Sequence, residues 1–391
     1  MRNKRISHVG LYATAVAAAA LTWQPGRSQA QTAATNAPVG SDEEAYDGPL
    51  NKVLLKDFDP RANLVVAEHH PSKAKFPVID VHMHPSARSP QEVAGWVKIM
   101  DEVGVQTVVL MTGATGQNFD HLVDLYVRPY PNRFVPFCGM DTQNTETPDY
   151  PHRVVTELER CYRMGARGVG EITDKGRGFG QRSYADPQPK PRDKRLQVDD
   201  RRLDLFWEKC AELKIPVNLH IADMPASWQP PDNHNELGVT YAEYNQYGVD
   251  IPSHAELIAR FLAVVKRHSN TTFIAVHFAN IGNDLAQLGR VFDRYPNLYV
   301  DTSARDFELG RVPFSGPVFF AKYKDRILFG SDLSVEVDDY RNWWRLFETR
   351  DEFIKGTTWW PIYGLALPDN VLEAVYGGNA KRLLNWMKPP T

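Results

Sequence analysis

Cysteine is scarce in this chain: Cys138, Cys161 and Cys210 are the only three in 391 residues. Their wide spacing allows no paired-cysteine zinc motif, and three thiols make no disulfide framework, so buried thiols with at most one bridge are expected. Positive charge is short as well. Lys and Arg number 45 against 48 Asp and Glu, without an extended basic run, which excludes nucleic acid as an expected partner. The one long apolar run, residues 9–22, is too short and too rich in alanine to span a bilayer, so no stable membrane insertion is expected. No glycine-rich dinucleotide fingerprint follows a strand, which counts against an open Rossmann sheet.

What is present begins with an export signal. Arg2, Lys4 and Arg5 precede the apolar run, and Ser28 and Ala30 give a small-x-small site before Gln31. That is the layout of a secretory signal peptide over residues 1–30, with a periplasmic or extracellular destination. No Arg-Arg pair lies in these thirty residues, which favours the general secretory route. Cleavage would leave a formal charge of −7. Residues 31–76, rich in Ala, Asn, Asp and Pro, read as an N-terminal tail and extension. A hydrophobic share of 42% and a charged share of 24% suit a soluble globular protein. The length suffices for one barrel of about 250 residues with insertions, or for two ordinary domains.

From residue 76 apolar β-branched runs alternate with helical periodicity. Strands are expected at 78–83, 106–111, 133–139, 167–172, 215–220, 272–277, 297–302 and 326–331. Seven segments with apolar residues at three- and four-residue intervals lie between them. Eight strand–helix units predict a (β/α)8 TIM barrel over residues 77–387. Three connections are long: 173–199, with many basic residues; 221–251, with Trp228, Tyr241, Tyr244 and Tyr247; and 333–367, through NWWRLF and TTWWPIYG. All leave the C-terminal ends of strands, the face where barrels build their sites, and are expected to wall or roof the pocket. Taken singly, the basic residues of 173–199 read as solvated.

The same strand ends carry metal-binding side chains. VIDVHMH ends in His82 and His84, whose spacing aims both imidazoles one way. Later runs end in Glu171, His220, His277 and Asp332. Neutral imidazoles, one or two carboxylates and an open position for water are what a hydrolytic metal site needs. His82, His84 and His220 supply nitrogens, and Asp332 both a ligand oxygen and a proton acceptor. Glu171 is hard to place in a core, because an ionised carboxylate there needs a partner; it is expected on the metal. Lys175 lies beyond its strand and is a poor candidate for bridging ions. Arg305 carries a planar fork suited to a substrate carboxylate, or to neutralising the site's own acids. Arg88 is a weaker candidate of that kind. His69, His70, His152, His234, His254 and His268 are expected on the surface.

This ordered set resembles the amidohydrolase superfamily. ILFGSD and GGNAKRLL are similar to its amidohydrolase-2 branch, which includes aminocarboxymuconate-semialdehyde decarboxylase-like proteins. The resemblance implies metal ligation by His82, His84, His220 and Asp332, with His277 beside the ligands or catalytic. A glutamate at the position of Glu171 bridges two ions in some members, whereas mononuclear members lack it. The leading expectation is hydrolysis of an amide, ester or lactone of a small organic acid by water on one or two divalent ions, with zinc favoured. Asp332 would take the proton and His277 polarise the carbonyl. The alternative is decarboxylation or hydration of an unsaturated or aromatic acid on the same site. A small molecule is the expected partner, and a homo-oligomer is compatible with this reading.

Overall fold

The computed structural model describes residues 48–181, 189–356 and 358–384; the expected signal peptide lies outside them. By backbone contacts the chain divides into Met1–Asp59 and Pro60–Thr391. Of the first unit, the described residues form two 3-10 turns, Pro49–Lys52 and Leu55–Asp57, without a buried side chain.

The described residues of the second unit form eight parallel strands: β1 Val78–Met83, β2 Val105–Met111, β3 Phe134–Phe137, β4 Val169–Asp174, β5 Val217–Ile221, β6 Phe273–Ala275, β7 Leu298–Asp301 and β8 Ile327–Leu328. They pair in sequence order as β1-β2-β3 and β4-β5-β6-β7-β8. A parallel bridge from Cys138 to Val169 joins the two sets. Val81 N donates to Phe329 O at 2.9 Å and Asp332 N to His82 O at 3.0 Å, which closes β8 onto β1. Each expected strand is found, shifted by few residues.

An apolar cluster of Ile79, Val81, Val109, Met111, Val135, Phe137, Ile274 and Leu328 draws on β1, β2, β3, β6 and β8. These strands are not all neighbours, so the cluster fills the barrel interior. A larger core lies between strands and helices. The principal outer helices are α1 Pro90–Val103, α2 Gly116–Leu122, α3 Tyr150–Met164, α4 Asp204–Glu212, α5 His254–Arg267, α6 Leu285–Arg294, the short α7 Asp306–Leu309, α8 Ser315–Tyr323 and α9 Val337–Glu348. Sequence sets their ends. Ser253 and Glu256 form a reciprocal capping box at α5, and α1 stops at Gly104, whose φ of +91° suits glycine.

Helix α9 corrects the expectation that all of 333–367 roofs the pocket. Trp343 and Trp344 are buried against Phe329, Phe347 and Tyr376. Each such ring buries on the order of 200 Å², roughly 5 kcal/mol of gross transfer energy, which no loop over water would recover. After α9, Ile354–Lys355 and Pro361–Ile362 pair antiparallel. The three cysteines are buried free thiols. Among the described residues no helix is long and apolar enough to cross a membrane.

Candidate metal centre

The C-terminal rim of the barrel is where backbone strain collects. Among the described residues, eleven other than glycine have positive φ, and seven of these sit just beyond β5 to β8: Ala222, His277, Phe278, Ala279, Asn280, Ala304 and Asp332. Such conformations persist only when surrounding contacts over-determine them, and they gather at functional sites. Here they turn the chain sharply so that side chains at strand ends face one point. On β1 the register against β2 shifts between Asp80 and Met83. Val81 packs in the barrel interior while the next residue, His82, reaches Asp301 of β7; strict alternation is broken where it re-aims the histidine.

Four imidazoles and two carboxylates meet at that point. Glu171 Oε1 lies 2.6 Å from His220 Nδ1, 3.5 Å from His277 Nε2 and 4.0 Å from His82 Nε2, and its Oε2 lies 3.5 Å from His84 Nε2. Asp332 Oδ1 is 3.5 Å from His84 Nε2 and 3.8 Å from His82 Nε2, and Asp332 Oδ2 is 3.8 Å from His277 Nε2. The structure therefore brings together all six side chains expected at the site. His277 takes its place among the donors as fully as His82: three sets of donor atoms, His82/His277/Asp332, His82/His84/Glu171 and Glu171/His220/His277, each lie within 4.8 Å.

Each ring has an acceptor on its other nitrogen, and that of His277 also lies 2.9 Å from the Ser303 hydroxyl. His82 Nδ1 bonds Asp301 Oδ2 at 2.8 Å, His84 Nδ1 bonds Met111 O at 3.1 Å, and His277 Nδ1 bonds Ser303 O at 2.9 Å. His220 is reversed, with Nε2 3.2 Å from Asp223 Oδ1. A neutral imidazole that donates outward leaves a lone pair facing inward, so the four rings, with the two carboxylates, could all present lone pairs to a cation that displaced the protons between them. His82 Nε2 is buried without a hydrogen-bond partner. An orphaned nitrogen inside a ring of acceptors fits a cation of mixed nitrogen and oxygen coordination.

Electrostatics point the same way. Burial pushes the His82 imidazolium down, but Asp301, Asp332 and Glu171 outweigh it and hold its pKa up at about 10. Burial would raise Glu171, yet His220, His277 and His84 keep it well below the usual carboxylate range. His277 falls to about 4, through burial first and then the neighbouring His220. At His82 and Glu171 the cluster favours a positive charge, whereas at His277 burial and His220 disfavour a second one.

Above it opens a cavity of about 300 Å³ lined by Glu171, His220, His277 and Asp332 on its floor, with Thr173, Lys175, Asp223, Met224, Tyr241, Tyr244, Ala304 and Arg305 around it. Arg305 is at the cavity, as expected, but its guanidinium is also held within the protein. It donates to Ala304 O at 2.6 Å and to Asn280 Oδ1, and its Nε lies 3.4 Å from Glu308 Oε2.

Several expectations are corrected here. Lys175, Arg177 and Arg195 are buried rather than solvated, because the loop after β4 folds inward. Trp228 and Tyr247 do not line the cavity; Trp228 donates to Pro252 O, and Tyr247 is exposed. Arg88 is exposed and away from it. His268 is buried on Asp204 and His254 is half-buried against Trp228. Lys175 and Asp223 were missed as site residues; the short intervals from Glu171 and His220 were the available signal. Asp301, in the segment DTSARD at residues 301–306, joins the site through its bond to His82 Nδ1.

A family model described as amidohydrolase matches residues 79–386. The chain belongs to the amidohydrolase family. This amidohydrolase also resembles solved barrels. One is dihydroxybenzoic acid decarboxylase from Polaromonas sp. JS666 with bound manganese and the inhibitor 2-nitroresorcinol, at 19% identity and a TM-score of 0.51, covering 80% of this chain and 98% of that one. Another is a putative amidohydrolase from Staphylococcus aureus, at 18% identity and a TM-score of 0.51, covering 79% and 100%. Both likenesses describe the barrel. No curated protein matches the chain by sequence.

Proposed function

We propose that this amidohydrolase is an exported, divalent-metal-dependent lyase that decarboxylates a small aromatic or unsaturated acid. Export rests on the layout of residues 1–30. The observation that carries the chemistry is the cavity: a floor of metal donors, flat walls at Tyr241 and Tyr244, and two buried cations, Lys175 and Arg305, beside it. Aromatic walls suit a planar substrate, and the Arg305 guanidinium suits its carboxylate. The similar barrel that binds manganese and a nitroresorcinol is itself a decarboxylase.

His82, His84, Glu171, His220 and Asp332 would hold the ion, with His277 at the same centre. When bound, the ion would act as a Lewis acid toward substrate oxygen. Arg305 orients the carboxylate. As the bond to the carboxylate carbon breaks, its electron pair stays on the substrate and carbon dioxide leaves. Asp332 holds the proton that goes to the vacated carbon, and it is open enough to solvent to be reprotonated. Four imidazoles favour zinc, whereas carboxylate oxygens also suit manganese; elemental analysis of the purified protein reads which is bound.

Hydrolysis of a lactone, ester or amide is the second reading. The position of Glu171 among all four histidines favours it, because such a carboxylate can bridge two ions. Metal-loaded protein incubated with panels of aromatic acids and lactones separates the two. Release of carbon dioxide with a one-carbon-shorter product is expected; ring opening of lactones with no carbon dioxide from any acid would replace decarboxylation by hydrolysis.

A further inference from the structure

We infer that Asp223 and Lys175 are positioning residues for His220, deciding which nitrogen of its ring faces the donor cluster. This rests on the proposed reading of the cluster as a divalent-cation site.

His220 is the exception among the four imidazoles. His82, His84 and His277 anchor Nδ1 and present Nε2, whereas His220 presents Nδ1 to Glu171 and anchors Nε2 on Asp223. Turning the ring over would exchange the two nitrogens, so some contact must select between them. Asp223 makes that contact from three residues downstream, and the backbone is bent to allow it. Ala222 has a φ of +62°, a conformation costly to any residue with a Cβ. It is pinned there: Ala222 N donates to Asp174 O at 3.1 Å, and Asn280 Nδ2 reaches the carbonyls of Ile221 and Ala222 at 3.2 Å each.

Lys175 completes the arrangement from the position just after β4. Its Nζ lies 2.7 Å from Asp223 Oδ1, the same oxygen that faces His220 Nε2. The ammonium also sits 5.4 Å from the centroid of Tyr244. Its backbone is held by a built turn, in which the buried Asp174 carboxylate accepts from Gly176 N and Gly178 N at 2.9 Å and from Val198 N at 3.2 Å. The φ values of +95° and +85° at Gly176 and Gly178 are ones glycine adopts freely. One carboxylate oxygen is thus fixed from two sides. Asp223 is 5% exposed, and a buried carboxylate stays against a neutral imidazole only if its charge is balanced. Lys175 balances it. Without that ammonium, Asp223 gains by turning toward water, and the His220 ring loses the acceptor that selects its orientation.

The test is calorimetric titration of chelator-stripped, full-length protein with Zn2+ and with Mn2+. Asp223→Ala and Lys175→Met should bind about 10- to 100-fold more weakly than wild type, the usual loss when a partner of a ligating histidine is removed. Lys175→Arg, which keeps the charge, should recover most of that loss. An independent readout needs no variant. Long-range proton–nitrogen spectra of histidine-labelled, metal-loaded wild type should place the proton of His220 on Nε2 and those of the other three rings on Nδ1. Wild-type affinity in folded Asp223→Ala and Lys175→Met, or a proton on His220 Nδ1, would overturn the inference alone. A wild type that takes up neither ion would overturn the proposed function, and this inference with it.

Discussion

Asp301 Oδ2 accepts from His82 Nδ1 at 2.8 Å, and this bond leaves the buried Nε2 of His82 facing the donors without a partner of its own. The same carboxylate accepts from the backbone N of His277 at 2.9 Å and from the hydroxyl of Ser303. One side chain of β7 therefore orients groups from β1 and β6.

Asp301→Asn is expected to disturb this orientation without emptying the site. An amide can donate where the carboxylate only accepts, which permits the wrong tautomer of His82. Metal affinity should fall by about 10- to 100-fold, read by competition with a chromophoric chelator. Unchanged affinity would show that His82 is oriented by other contacts.

Asp332→Asn tests the proton carrier. Asp332 has a φ of +50°, a conformation asparagine tolerates as well as aspartate does, so the backbone should hold. Turnover should drop by roughly three orders of magnitude, in the range of removing a general acid–base group, while the thermal midpoint shifts little. Near-wild-type turnover would remove Asp332 from the mechanism.

Arg305→Lys keeps the charge and loses the planar fork. The native guanidinium spans Ala304 O and Asn280 Oδ1, a pair that one ammonium reaches poorly. KM for an acidic substrate should rise about tenfold with metal content unchanged, measured by steady-state kinetics beside elemental analysis. Loss of metal instead would make Arg305 a structural partner of the donors.

Asp174→Asn reports on the turn that carries Lys175. Burial holds the Asp174 carboxyl up at about 6, against an ordinary value of 3.8, despite three backbone donors. The folded state thus binds more protons than the unfolded state between those values, so this group's contribution to stability is largest below about pH 4 and declines as pH rises through 6. Asparagine should remove that decline while costing about 1–3 kcal/mol by leaving the Val198 N–H poorly paired. Denaturant unfolding at pH 4.5 and pH 7 checks both; an undiminished pH slope in the variant would assign it to other groups.

The sequence by itself determined the barrel and pointed to six side chains that the fold brings together, though not to Lys175 or Asp223 beside them. Strand periodicity and helix caps are local properties, and eight alternations leave few ways to bury their apolar faces. A metal site also needs histidines and acids at strand ends, where chain order already displays them. What the tertiary structure decided was orientation and support. Which nitrogen of His220 faces inward depends on Asp223, and the balance of Asp223 depends on Lys175 from just beyond β4. Trp343 and Trp344 lay in what reads as a loop, and only the core waiting beneath α9 shows that they pack rather than roof. Buried charges such as Lys175, Arg177 and Asp301 look solvated one at a time. Their burial is stable only in pairs and networks drawn from different strands, and such pairing is a property of the folded barrel rather than of any segment.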